Sequence, residues 1–195
     1  MALIGTHDSV TGEKGYGFFG LFRWFGQTQV LTIKEQAICG VKYFDLRVRK
    51  TDRGWICAHG LWETKKTFTE ILSDISKNTP LESVLLAVTY EGTLPKEMTE
   101  ESFIKFIKKT VKKYSNLSLH VISEKYKKIK FGKKVWNTMW SRDSYGYKII
   151  GHYPHFSLTP FPPIPSLWKM EKPIFSEDSK TITIIDFLTY EDFKD

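Results

Sequence analysis

Cysteine is scarce in this sequence, and the two that occur, Cys39 and Cys57, do not have the spacing of metal ligands. They also provide no disulfide framework. No apolar run approaches the roughly 18 residues that a membrane-spanning helix needs. Internal repeats and low-complexity linkers are missing too. With 41% hydrophobic and 15% aromatic residues, the chain can build a substantial core. We therefore expect one folded domain over residues 1–195, with two small domains as the alternative.

The amino terminus lacks the apolar stretch of a signal peptide, because Gly5, His7 and Asp8 interrupt it. This pattern predicts a cytoplasmic or peripheral membrane protein. A secreted protein is the alternative if the start of the chain is an engineered one.

Basic residues exceed acidic ones by 29 to 22, which gives a formal net charge of +7. Such a balance favours anionic partners: nucleic acid, phospholipid headgroups or a phosphorylated substrate. The alternative is a soluble protein whose lysines simply face water. Binding to nucleic acid has no support beyond the net charge, so we do not expect it.

Strand and helix patterns alternate in the first half of the chain, which predicts right-handed crossovers and a parallel sheet. Capping boxes at Thr32–Glu35 and Thr67–Glu70 each predict the start of a helix. A further helix is expected over Pro95–Tyr114. The expected strands are residues 2–4, 43–48, 55–59, 83–90, 118–122, 134–140, 147–151 and 181–187. The fold class is therefore α/β, and the expected architecture is a compact, irregular TIM (β/α)8-type barrel.

Residues 10–29 contain five glycines and six aromatic residues, which predicts an irregular loop. The aromatic side chains have two interpretations: packing over the mouth of the barrel, or a rim that enters a lipid bilayer. A lysine cluster between Lys125 and Lys134 also has two interpretations: a face that contacts only solvent, or a surface that attracts anionic lipid.

Three reactive side chains fall at or near predicted strand ends. His7 follows the first strand, Arg47 lies in the second, and His59 ends the third. In a parallel barrel the carboxyl ends of the strands carry the chemistry. Two histidines and an arginine at that edge would suit acid–base chemistry on a phosphate diester.

Four pieces of the chain together resemble the bacterial-type phosphatidylinositol-specific phospholipases C, in their order and spacing. They read Gly5-Thr6-His7-Asp8-Ser9, Trp24-Phe25-Gly26-Gln27-Thr28-Gln29, Gly40-Val41-Lys42-Tyr43-Phe44-Asp45-Leu46-Arg47 and His59-Gly60. The resemblance covers roughly residues 3–90. In the second half, Ile184-Ile185-Asp186-Phe187 looks like the late strand of the family, with an aspartate at its end.

The resemblance implies cleavage of phosphatidylinositol, or a related inositol phospholipid, to diacylglycerol and inositol 1,2-cyclic phosphate. His7 would be the general base on the inositol 2-hydroxyl, and His59 the general acid for the leaving alkoxide. Asp186 would orient His7, and Asp8 would orient His59. Arg47 would hold the phosphate oxygens and stabilise developing charge.

The resemblance also implies an enzyme with neither metal nor cofactor. Calcium-dependent relatives have an acidic residue where this chain has Arg47, and Asp45 alone offers too few oxygens for a hard cation. The candidate substrate-binding residues are Asp45, Thr89 and Arg142. The chain departs from the family after its fourth strand, where Thr89, Tyr90 and Glu91 stand in place of a lysine.

The expected partner is a phospholipid substrate at a membrane surface, with further attraction to anionic lipid headgroups, and the expected state is a monomer. Two other functions stay open. One is a phosphodiesterase of the same barrel superfamily that acts on glycerophosphodiesters or sphingolipids. The other is a lipid-binding module without catalysis.

Overall fold

An eight-stranded sheet organises the chain in this computed structural model, which describes residues 3–21, 27–79, 81, 83–123, 148–152 and 177–185. The strands are β1 Leu3–Thr6, β2 Tyr43–Thr51, β3 Gly54–His59, β4 Trp62–Thr67, β5 Val84–Tyr90, β6 Leu117–Ser123, β7 Lys148–His152 and β8 Thr181–Ile185. The helices are α1 Gly17–Leu21, α2 Ile33–Ile38, α3 Phe68–Asn78 and α4 Glu100–Val111. A short 3-10 helix covers Ser9–Gly12.

Six strands form a parallel wall in the order β7-β8-β1-β2-β5-β6. The wall is the curled sheet of an irregular TIM-type barrel, which confirms the predicted fold class. Because its strands are parallel, their carboxyl ends meet at one edge. The strand predicted at 134–140 lies outside the described residues.

Alternation along β2 separates the two faces of this wall. Phe44, Leu46 and Val48 are fully buried in the main core, together with the apolar faces of α3 and α4. The residues between them point the other way: Tyr43 packs with side chains of β5 and β8, and Asp45 and Arg47 follow on the same side. This interior face carries the polar groups of the candidate site.

The predicted capping boxes start α2 and α3 as expected, with Thr32 and Thr67 as N-caps. The helix predicted over Pro95–Tyr114 is shorter in the structure, because the Thr99 side chain caps it and only α4, Glu100–Val111, is helical. Among the described residues, no helix is long and apolar enough to cross a bilayer.

One expectation about local structure was wrong, and one strand was not predicted. The segment 10–29 was predicted to be irregular, yet it contains the 3-10 helix and α1. Backbone contacts with β4 hold this segment, through a bridge between Gly15 and Thr64 and a bond from Tyr16 N to Glu63 O of 2.7 Å. The strand β4 itself was not predicted, because its sequence is mostly polar. Only Trp62 and Thr64 of this strand are buried.

The side chain of Gln36, on α2, ties together the loop that follows β1. It is fully buried, and its Nε2 donates to the carbonyl oxygens of Ser9 and Leu31, each at 2.7 Å. Its Oε1 accepts from the Thr6 hydroxyl at 2.8 Å. Ser9 Oγ in turn accepts from Asp45 N at 2.8 Å. One amide therefore fixes the loop relative to both β1 and β2.

Replacing Gln36 with Leu should destabilise the fold strongly. The change leaves buried polar groups without their partner, at about 1–3 kcal/mol for each. We expect the free energy of unfolding, measured with urea, to fall by about 3 kcal/mol or more. Lys34→Leu, at an exposed position of the same helix, is the matched control and should stay within about 0.5 kcal/mol of wild type. Equal stability of the two variants would contradict this role for Gln36.

Candidate active site

His7 is the first residue after β1, and its backbone is held by the segment 27–29. The His7 carbonyl accepts from Gln29 Nε2 at 3.0 Å and from the Thr28 hydroxyl at 3.1 Å. The same Gln29 amide donates to Ile185 O, the last carbonyl of β8, at 2.7 Å. The carboxyl ends of β1 and β8 are therefore joined through one buried side chain.

Asp8 follows with a positive φ of 43°, a conformation that aspartate and asparagine tolerate better than most residues. Its N–H donates to Asp45 Oδ2 at 3.2 Å. This turn of the backbone directs the Asp8 side chain towards Arg47 on β2 and His59 on β3.

The Asp8 carboxylate is the centre of the candidate site. Its Oδ1 forms a close ion pair with Arg47 Nε. Its Oδ2 lies 3.3 Å from His59 Nδ1 and also 3.3 Å from His7 Nε2. Asp8 is 1% exposed and Arg47 4%, whereas the His59 side chain is 27% exposed. The cluster is thus buried on one side and opens towards solvent at His59.

Arg47 contacts the other members of the site as well. Its Nη2 lies 2.8 Å from His7 Nε2 and 3.6 Å from Asp45 Oδ2. A guanidinium can only donate, so His7 Nε2 is the acceptor of this bond, and the neutral ring carries its proton on Nδ1.

Burial shifts the pKa of two groups beside Arg47. Desolvation lowers the pKa of His7 below its usual value, and the Arg47 charge adds to this, although Asp8 and Asp45 oppose it. His7 is therefore neutral at neutral pH. Desolvation raises the pKa of Asp45, and the Arg47 charge opposes that shift.

The ligand atoms of His7, Asp8 and Asp45 lie within 4.8 Å of one another, close enough to hold a metal ion. The same three side chains also contact the Arg47 guanidinium. A cation placed among them would face the fixed positive charge of Arg47, so this donor set fits a metal poorly.

Most of the predicted site residues meet in one place. His7, Asp8, Asp45, Arg47 and His59 form the cluster. Thr89 is buried on β5, directly paired with Arg47 in the parallel register, so it faces the same interior. Two candidates, Asp186 and Arg142, lie outside the described residues, and so does the lysine cluster from Lys125 to Lys134; these stay predictions.

Sequence reasoning missed the residues that support the cluster. Gln29 belongs to the family-like segment 24–29 but was given no role, and Gln36 was predicted only as part of a helix. It also missed a polar contact inside the barrel, where the Tyr43 hydroxyl lies 3.4 Å from His120 Nδ1. The alternation of β2 and β6 places both side chains in the interior, and this is the signal that could have found them.

Comparisons with known proteins give a likeness of fold. No protein-family model matches this sequence, and curated protein sequences give no significant match. The phosphatidylinositol-specific phospholipase C from Listeria monocytogenes is similar in structure, with a TM-score of 0.59 and 15% identity, over 99% of this chain and 90% of that chain. A double mutant of the corresponding enzyme from Staphylococcus aureus has a TM-score of 0.50 and 17% identity, over 67% of this chain and 53% of that one. The chain therefore has the barrel fold seen in bacterial phosphatidylinositol-specific phospholipases C.

Proposed function

We propose that this protein is a phosphatidylinositol-specific phospholipase C that needs no metal ion. The proposal rests on one observation: a single buried carboxylate, that of Asp8, contacts two histidines and an arginine at the carboxyl edge of a parallel barrel wall. These groups can supply a base, an acid and a phosphate clamp within one small site.

The general base is His7. A base must be unprotonated, and burial lowers the pKa of this imidazole so that it is neutral at neutral pH. Its Nε2 already acts as an acceptor, towards Arg47. In the proposed step Nε2 takes the proton of the inositol 2-hydroxyl while that oxygen forms a bond to phosphorus.

The general acid is His59. The bond from phosphorus to the glycerol oxygen breaks, and the imidazole gives its proton to that oxygen, so the products are diacylglycerol and inositol 1,2-cyclic phosphate. The Asp8 carboxylate 3.3 Å from Nδ1 can orient the ring for this transfer. The His59 side chain is partly exposed, so the glycerol oxygen of a substrate that binds from solvent can reach it.

Arg47 is the phosphate clamp. Its fork of donors matches phosphate oxygens, and burial strengthens its field where charge develops in the transition state. Arg47 Nη2 also lies 3.6 Å from Asp45 Oδ2, which helps to orient the guanidinium.

A second candidate is a metal-dependent phosphodiesterase of the same barrel type, acting on glycerophosphodiesters or sphingolipids. The close approach of ligand atoms from His7, Asp8 and Asp45 favours it. The contact of all three with Arg47 speaks against it.

Phosphorus NMR of the products separates the two candidates. The protein is incubated with phosphatidylinositol in mixed micelles, once with excess EDTA and once with added calcium. Because Arg47 supplies the positive charge, we expect the five-membered cyclic phosphate to appear at equal rates in both samples. Activity that is lost with EDTA and restored by calcium would favour the metal-dependent candidate, and no cleavage in either sample would contradict both.

Exposed apolar side chains near the site support binding at a membrane surface. Phe18 on α1 is 68% exposed, and Leu61, two residues after His59, is 69% exposed. Tyr16 is 50% exposed and stacks against the Arg53 guanidinium. Of the aromatic loop, Phe22, Trp24 and Phe25 lie outside the described residues.

Changing Phe18 and Leu61 together to Ser should weaken binding to phosphatidylinositol-containing vesicles, measured by sedimentation. Each large apolar side chain that enters a bilayer contributes about 1.5–3 kcal/mol, and this contribution persists at high salt. Leu81, which is 97% exposed ahead of β5 and so near the opposite edge of the wall, is the matched control. If Leu81→Ser weakens binding as much as the double change, this rim does not face the membrane.

A further inference from the structure

His59 lies beyond the part of β3 that the barrel wall holds directly. Backbone pairing between β2 and β3 ends at Val48 and Cys57. In the described strands, His59 pairs with Trp62, across the turn that joins β3 to β4. The position of its imidazole therefore depends on what fixes this turn.

Two charged side chains bind the backbone of Gly60, the residue that follows His59. Gly60 N donates to Glu91 Oε1 at 2.7 Å, and Gly60 O accepts from Arg49 Nη2 at 2.6 Å. Gly60 has a φ of 58°, which a glycine adopts without strain. Both hydrogen-bonding groups of one residue are thus held by charged side chains, and such bonds are stronger than neutral ones.

The pair is attached to the barrel wall. Arg49 belongs to β2, and Glu91 directly follows β5, where its N–H donates to Val48 O at 2.8 Å. Arg49 Nε also donates to the Glu91 carbonyl at 3.3 Å, which links the two residues to each other. A second ion pair, at 3.5 Å, joins Arg49 to Glu63 on β4. The turn is thereby connected to the strand that carries Arg47.

We propose that Arg49 and Glu91 are positioning residues that hold His59 at its distance from Asp8, and so set the efficiency of leaving-group protonation. This inference rests on the proposed role of His59 as the general acid. Neither residue touches the buried cluster in the contacts described, and each acts through the peptide of Gly60. Displacing a catalytic group by about 1 Å can cost on the order of 100-fold in rate.

The leaving group tells such a role apart from general damage to the site. An alcohol departs with difficulty unless an acid protonates it, whereas 4-nitrophenolate departs without that help. Loss of His59 positioning should therefore slow release of diacylglycerol and leave release of 4-nitrophenolate nearly unchanged. Damage to Arg47, to His7 or to the fold would slow both.

The test compares wild type, Glu91→Ala, Arg49→Ala and Glu91→Gln on two monomeric substrates: a short-chain phosphatidylinositol and the 4-nitrophenyl ester of inositol 1-phosphate. Lys50→Ala, which removes an exposed charge next to Arg49, is the control. We expect both alanine variants to lose about 10- to 100-fold in kcat on the first substrate only. Glu91→Gln, whose amide oxygen can still accept from Gly60 N, should retain most of the activity.

Equal losses on both substrates, or no loss on either, would overturn the positioning role. If wild type cleaves neither substrate, the result contradicts the proposed function itself, and the positioning role falls with it. If Glu91→Ala does not fold, Glu91→Asp provides the same comparison, because it keeps the charge but withdraws the carboxylate from Gly60. In a His59→Ala background, Glu91→Ala should cause no further loss; an additional tenfold loss there would contradict the proposal.

Discussion

The buried carboxylate of Asp8 is the constraint on which the rest of the site depends. A carboxylate that is 1% exposed must have partners for its charge, and Arg47 and His59 provide them, while the neutral His7 ring lies 3.3 Å away. Removing one partner of a buried ion pair costs about 3–5 kcal/mol, so Asp8 and Arg47 hold each other in place. The same carboxylate lies within reach of both histidines, and it therefore links the stability of the site to its chemistry.

The surrounding structure keeps these groups in position from three directions. Gln29 joins the ends of β1 and β8 below His7, and Gln36 fixes the turn that presents Asp8. Arg49 and Glu91 hold the turn after His59. Each support is a side chain that bonds to the backbone of a loop or turn that carries a residue of the cluster.

Local sequence patterns predicted the parts of the fold that local physics decides. The β2 strand was predicted over residues 43–48 and forms over Tyr43–Thr51. The capping boxes at Thr32 and Thr67 fixed the starts of two helices. The five residues of the cluster were also found, through their positions near strand ends and their resemblance to a known family.

The rest depends on contacts between distant segments, which local patterns do not contain. The strand β4 exists because Trp62 and Thr64 pack inward while Arg53 pairs with Glu63, and its own sequence is too polar to predict it. Glu91 stood out only as a departure from a family pattern. Its bond to Gly60 spans 31 positions of the chain and becomes visible only in three dimensions.

The most direct test of the central role of Asp8 is the turnover of Asp8→Asn on phosphatidylinositol. Asparagine accepts the positive φ of Asp8 and has nearly the same shape, so the change removes the charge and leaves the backbone in place. Circular dichroism first establishes that the variant is folded. We then expect kcat to fall by a factor of about 10²–10⁴, which is the usual contribution of one positioned acid or base. A folded Asp8→Asn variant with near wild-type kcat would contradict the central role of this carboxylate.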